Sequence, residues 1–121
     1  MVGTRRLVTQ RRQVRLTTSG RRTGEPRSVT LYAWPDGRDL IVVGSAGGRA
    51  RHPAWALNLR ATPDAEIQEG KQRWAVRARE PEGEERDRLW QLVTEAFPLY
   101  ATYQRRTDRT LPIFVLEPAV D

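Results

Sequence analysis

The chain has 121 residues, no cysteine, and 21 basic against 15 acidic side chains, for a net charge of +6. That length suits one domain with a real core, and the missing thiols exclude disulfides, Cys-ligated zinc, iron–sulfur clusters and thiolate nucleophiles. Residues 1–27 hold eight arginines against Glu25 alone, while residues 28–121 hold 13 basic and 14 acidic groups, and such a one-ended block implies a polyanionic partner: nucleic acid, an anionic membrane surface or a polyanionic small molecule. The longest aliphatic run, Leu40-Ile41-Val42-Val43, is far below a membrane span, and the Arg-bearing start lacks an apolar signal region. The expected location is the cytoplasm, or the periphery of a membrane facing it.

Residues 1–10 are polar and unpatterned and are expected to form a flexible arm. From Gln13 to Ser19, Val14 and Leu16 alternate with polar residues, and from Arg27 to Trp34 the same pattern runs through Val29, Leu31 and Ala33, which predicts two strands. Between them lies Thr17-Thr18-Ser19-Gly20-Arg21-Arg22-Thr23-Gly24-Glu25-Pro26-Arg27. This stretch is either a solvated turn or an anion cradle, because glycine frees the backbone to turn amides outward and arginine adds forked cationic donors.

Pro35 to Asp39 has turn composition and Leu40 to Val43 that of a buried strand, so residues 27–43 predict a hairpin. Gly44-Ser45-Ala46-Gly47-Gly48 then forms a second glycine loop open to close approach by a ligand. Pro53 is a favoured first helical residue and starts a short helix from Ala54 to Leu59, its N-terminus directed at that loop. Asp64 to Glu69 and Gln72 to Arg79 alternate about Ala65, Ile67, Trp74, Val76 and Ala78, with Gly70-Lys71 as the tight turn of a second hairpin.

Glu82 to Phe97 carries Leu89, Trp90, Val93, Ala96 and Phe97 at helical spacing and is stopped by Pro98. Tyr100, Tyr103 and Thr107 are spaced as one face of another short helix, and Pro112 to Glu117 supplies a last strand. Trp74 and Trp90 are assigned to the core. Tight hairpins without regular βαβ alternation predict a mainly β (α+β) fold, a small antiparallel barrel with helices on its side or mouth.

His52 is the only histidine, which leaves a metal cluster or a Ser-His-Asp triad without support and gives it a surface or capping role. The glycine segments lack the spacing of Walker and dinucleotide fingerprints. A nucleic-acid-binding module is the minor alternative: aromatics are 7% of the chain, are not interleaved with the basic run, and form no helix-turn-helix or RRM signature.

Four ordered strings carry a specific resemblance: Leu16 to Arg27, Gly44 to Gly48, His52-Pro53-Ala54-Trp55-Ala56-Leu57-Asn58-Leu59-Arg60-Ala61-Thr62-Pro63, and Tyr100-Ala101-Thr102-Tyr103-Gln104-Arg105-Arg106-Thr107-Asp108-Arg109-Thr110-Leu111-Pro112. Together they closely resemble the deazaflavin-dependent nitroreductase and quinone reductase family, over about Leu16 to Pro118. The resemblance implies a split β-barrel of the FMN-binding type, with about six antiparallel strands and two to three helices. It implies reduced coenzyme F420 as hydride donor and quinones, enones or nitro compounds as acceptors, small flat hydrophobic molecules. Within the same fold the alternatives are a non-catalytic deazaflavin carrier and an FMN or haem binder.

By the same resemblance Arg21, Arg22, Thr23 and Arg27 hold the coenzyme's phosphate and oligoglutamate tail, together with Ser28, Val29, Thr30, Leu31 and Tyr32. Val43, Gly44 and Ser45 line the deazaflavin, Ala54, Trp55, Ala56, Leu57 and Asn58 contact it from the short helix, and Tyr100 adds a further contact. Tyr32, Ser45, Tyr100 and Tyr103 are the candidates to hydrogen-bond the acceptor as charge develops on it. A small polyanionic coenzyme suits the one-ended charge. Two departures stand out: Ala46 replaces a lysine common in the family, with Arg49 or Arg51 as candidate substitutes, and Phe97 replaces a tyrosine of some relatives. The chain begins close to its first strand, so no N-terminal lid or membrane anchor is implied.

Overall fold

The computed structural model describes residues 10–119, so the arm expected over residues 1–10 lies, apart from Gln10, outside the described residues. Six strands, β1 (Arg12–Ser19), β2 (Pro26–Asp36), β3 (Asp39–Val43), β4 (Asp64–Glu69), β5 (Gln72–Arg79) and β6 (Ile113–Pro118), are joined by helices α1 (Ala54–Ala61), α2 (Gly83–Ala96) and α3 (Leu99–Arg105). The strands close into a barrel in the order β1-β2-β3-β6-β5-β4. All neighbours are antiparallel.

Two apolar cores explain why the strands carry different patterns. Val14 and Leu16 of β1, Ile67 of β4, Val76 of β5, Leu40 and Val42 of β3, and Phe114 and Leu116 of β6 fill the barrel interior. Trp34, Ile41, Val43, Ile113 and Val115 face outward and are covered by Leu89 and Val93 of α2 and Tyr100 of α3. Strands β3 and β6 are therefore buried on both faces, which is why their sequences are aliphatic runs, whereas β1 and β5 alternate because one face meets water. Each fully buried Leu, Ile or Phe in these layers contributes about 1.5–3 kcal/mol.

Trp74 and Trp90 pack half-buried against the first and second core. Trp34 is the tryptophan that is sealed, at 2% exposure. Helix α3 stops at Arg105. Thr107 thus lies beyond the face it was expected to share with Tyr100 and Tyr103, and its Oγ1 accepts the Arg109 N–H at 3.3 Å.

The register opens one seam in the wall. β1 pairs with β2 continuously from Arg12↔Ala33 to Ser19↔Pro26, whereas β3 pairs with β2 only at Trp34↔Ile41, Pro35↔Leu40 and Asp36↔Asp39. From Val42 onward β3 is paired only on its other edge, to β6, which it meets all the way from Leu40 to Val43. Between Pro26 and Ala33, alternate residues of β2 consequently direct N–H and C=O groups away from β1 toward the seam.

Candidate functional site

A groove of about 960 Å³ lies across the start of this seam. One wall is Thr18 with the β1–β2 loop and the first residues of β2, namely Gly20, Arg21, Arg22, Thr23, Arg27, Ser28 and Val29; the other runs from Ala46 through Arg49, Ala50, Arg51, His52 and Pro53 to Ala54, Trp55 and Asn58.

The β1–β2 loop is ordered by its own hydrogen bonds. Gly20 N–H donates to the Glu25 carbonyl at 2.7 Å, Gly24 N–H to the Gly20 carbonyl at 2.7 Å, and Glu25 N–H to Thr23 Oγ1 at 3.1 Å. With the backbone so closed, the side chains of Arg21, Arg22 and Arg27 stand exposed along the rim.

Asn58, 3% exposed on α1, ties this loop to the barrel. Its Nδ2 donates to Thr18 Oγ1 at 3.1 Å, and its Oδ1 accepts the Arg21 backbone N–H at 3.1 Å and Arg21 Nη1 at 3.4 Å. A buried amide left unpaired is costly, so these bonds fix where α1 meets the cradle.

The groove's charge is one-signed. Five arginines (Arg21, Arg22, Arg27, Arg49 and Arg51) line it and no Asp or Glu does. Among the described residues Arg21, Arg22, Arg49 and Arg51 make no ion pair, and Arg27 meets only the exposed Glu25 at 3.6 Å. Such a field, next to the start of α1, favours an anion. Arg49 and Arg51 line the same wall of the groove as Ala46.

The second glycine loop serves the protein's own packing. A Cβ on Gly44 would come within 2.8 Å of Pro112 Cγ, and one on Gly48, where φ is +82°, within 2.8 Å of the Tyr103 carbonyl. Only glycine lets the loop lie this close to α3 and β6. Arg109 then clamps it: Nε donates to the Arg49 carbonyl at 2.7 Å, Nη1 to the Gly44 carbonyl at 3.0 Å and to His52 Nδ1 at 2.8 Å, and Nη2 to the Ser45 carbonyl at 2.7 Å.

Farther along the seam sits an aromatic cluster. Phe97 and Tyr100 are 4.8 Å apart between ring centres, Tyr32 lies 6.2 Å from Phe97, and Trp34 lies 6.2 Å from Tyr100. Tyr32, 38% exposed, forms its rim. Tyr100 Oη accepts the Trp34 Nε1–H at 3.1 Å, and burial is the main cause that pushes its hydroxyl above the usual tyrosine range. Ser28, Thr30 and Tyr32 share the outward face of β2, so the strand links groove to cluster over about 13 Å.

Of the residues named from sequence, Arg21, Arg22, Thr23, Arg27, Ser28, Val29, Ala54, Trp55 and Asn58 line the groove. Thr30 and Tyr32 lie exposed along β2, with Leu31 packed against the barrel interior. Val43, Gly44 and Ala56 are buried, Leu57 and Ser45 are half-buried, and Tyr100 and Tyr103 belong to the second core. His52, Pro53 and Thr18 also line the groove. The role of Arg109 had no sequence signal, because one arginine among so many is distinguished only by the carbonyls it meets.

The family model for F420H(2)-dependent quinone reductase matches residues 2–118. The F420H(2)-dependent quinone reductase Rv1261c of Mycobacterium tuberculosis is 41% identical over 104 residues, covering 84% of this chain and 70% of that protein. A solved structure described as an F420-H2 dependent reductase (FDR-A) superposes with a TM-score of 0.78 at 40% identity, covering 87% of this chain and 93% of that one. HutZ, a haem storage protein from Vibrio cholerae, shares the fold alone, at 18% identity and a TM-score of 0.67, over 91% of this chain and 83% of its own.

Proposed function

The chain belongs to the F420H(2)-dependent quinone reductase family, and from that premise we propose that it is an oxidoreductase in which reduced coenzyme F420 is held across the seam and its hydride is delivered to a quinone-type acceptor. The observation that carries the assignment of the site is the groove of five arginines without a carboxylate. A phosphate followed by several glutamates fits that lining, and an uncharged ligand would leave the arginines uncompensated. When bound, the deazaflavin supplies a hydride in a two-electron step, having carbon where a flavin has its reactive nitrogen.

The protein's own part is positioning, exclusion of water and proton delivery. Arg21, Arg22, Arg27, Arg49 and Arg51 hold the anionic end, Trp55 offers a flat apolar wall, and the open edge of β2 offers backbone groups. The rings of Tyr32 and Phe97 give a flat, electron-poor acceptor an apolar surface to stack on. Tyr100 is the donor best placed for charge on the acceptor oxygen. Its lone pair is engaged by Trp34 and burial keeps Oη protonated at neutral pH, so the hydroxyl proton is left to donate. Ser45 and Tyr103 flank the same end, and solvent restores the proton. The proposal places the reaction in the cytoplasm or at a membrane surface that faces it.

Trp55 in the groove makes the test direct. Oxidised coenzyme F420 should quench tryptophan fluorescence at micromolar concentration, W55F should lose most of that quench, and reduced coenzyme should be oxidised by a panel of quinones. Absence of binding would overturn the site. Binding without turnover by any quinone, enone or nitro acceptor would make the protein a deazaflavin carrier instead.

A further inference from the structure

We propose that His52 is a further coenzyme-contacting residue, locked by Arg109 into the neutral tautomer that presents Nε2–H to the groove. Arg109 is then the positioning residue behind it. The inference rests on the functional reading above and deepens it, adding to the arginine groove a donor that is directional and uncharged.

The chemistry of the contact dictates the tautomer. A guanidinium has five N–H donors and no acceptor, so the ring nitrogen 2.8 Å from Arg109 Nη1 must accept with its lone pair. The imidazole proton therefore resides on Nε2. Among the described residues Nε2 has no hydrogen-bond partner, and it is not sealed from solvent. His52 lies in the groove wall between Arg51 and the start of α1. An Nε2–H there is free to donate to an anionic oxygen.

The surroundings hold the ring neutral. Burial comes first in drawing its pKa below the ordinary value, followed by the charges of Arg109 and Arg60; Glu80 works the other way, but its carboxylate is engaged by Arg60 at 2.8 Å. Arg49 and Arg51 add positive field from the groove side. Protonating Nδ1 would set a cation against the Arg109 guanidinium and release the bond between them, leaving Arg109 only the three bonds by which it pins the Gly44, Ser45 and Arg49 carbonyls. The same guanidinium thus shapes the loop and aims the imidazole.

His52 is the only histidine, so tag-free protein gives a single imidazole spin system. A long-range proton–nitrogen spectrum at about pH 7 should show the Nε2-protonated pattern, and the Nε2 resonance should move when oxidised coenzyme F420 saturates the tryptophan quench. His52→Ala should weaken coenzyme binding about tenfold. His52→Gln, whose amide reaches the Nε2 position, should recover most of that loss, and His52→Asn, which only satisfies Arg109, should not. Arg109→Met, which removes both the donor and the charge, should erase the tautomer preference and raise the imidazole pKa part of the way, the lowering by burial remaining; if that variant fails to fold, the wild-type spectra and the His52 series decide. An Nδ1-protonated ring, an Nε2 signal unmoved at saturation, or unchanged affinity in His52→Ala would overturn the inference. No quench at all would instead sink the functional reading beneath it.

Discussion

Arginine is used in two opposite ways in this barrel. Outside the groove lining, Arg12 grips Glu69 in a bidentate pair, Arg60 meets Glu80 at 2.8 Å, Arg79 is shared between Glu85 at 2.7 Å and Glu117 at 2.9 Å, and Arg88 meets Asp36 at 2.9 Å. In the groove, Arg21, Arg22, Arg49 and Arg51 face one another with no carboxylate among them. The paired set neutralises itself and joins strand to strand or strand to helix. The unpaired set keeps a positive field that an anionic ligand would neutralise, and this imbalance marks the functional face more clearly than the count of basic residues.

The contrast can be broken most severely from the groove side. Replacing Arg21 and Arg22 with Ala should raise the dissociation constant for coenzyme F420 about a hundredfold, at the lower end for two charge-assisted contacts. The melting temperature should stay within about 2 °C, because neither guanidinium pairs with a carboxylate. Wild-type affinity should fall with added salt and the double variant's should fall less, as fluorescence titrations would show. Unchanged binding in the double variant would dissolve the distinction.

Asn58 joins the two behaviours, since one buried amide supports both barrel and cradle. Asn58→Ala should cost about 2 kcal/mol in chemical denaturation, from unsatisfied polar groups on Thr18 and Arg21, and should weaken coenzyme binding as well. If only stability changed, the cradle would hold its shape without α1.

On the paired side the effects are smaller and confined to stability. Arg12→Ala, with both partners about one-third exposed, should cost about 0.5–1 kcal/mol and leave coenzyme affinity unaltered. The pair also sets a pH dependence. The Arg12 hydrogen bond is the main cause that holds the Glu69 carboxyl below its usual range in the folded state. Its contribution is therefore present above the unfolded value of about 4.3 and is lost as pH falls through the lower folded value. Melting temperatures measured toward acid should show this loss in the wild type and less of it in Arg12→Ala.

The smallest change sharpens the view of the glycine loop. Ala46 has a φ of +46°, where a side chain is strained. Ala46→Gly should therefore be neutral or stabilise by about 0.5–1 kcal/mol in thermal unfolding.

The strands were legible in residues. Val14 and Leu16 alternate because β1 separates core from water, and Leu40 to Val43 do not because β3 is covered on both sides. Turn chemistry at Gly37 and Gly70 set the hairpins. The charge block pointed to a polyanionic partner, whereas the Leu16–Arg27 string by itself left a solvated turn and an anion cradle both open. Trp34 could not be ranked above Trp74 and Trp90, since its burial depends on α2 and α3 closing over β2, two distant segments that local pattern does not place.

What the linear order determined is everything that depends on neighbours a few residues apart: periodicity, turn residues, and the clustering of Arg21, Arg22 and Arg27 on one loop. What only the assembled barrel decided are the meetings of residues remote in sequence. These include Arg49 and Arg51 turning toward the first cradle, Asn58 reaching Thr18 across 40 positions, and Arg109 gathering three carbonyls and His52. The reason is physical: a hydrogen bond or an unneutralised charge is defined by distance and direction in space, and the pairing register that opens the seam between β2 and β3 is a property of the closed sheet rather than of any one strand.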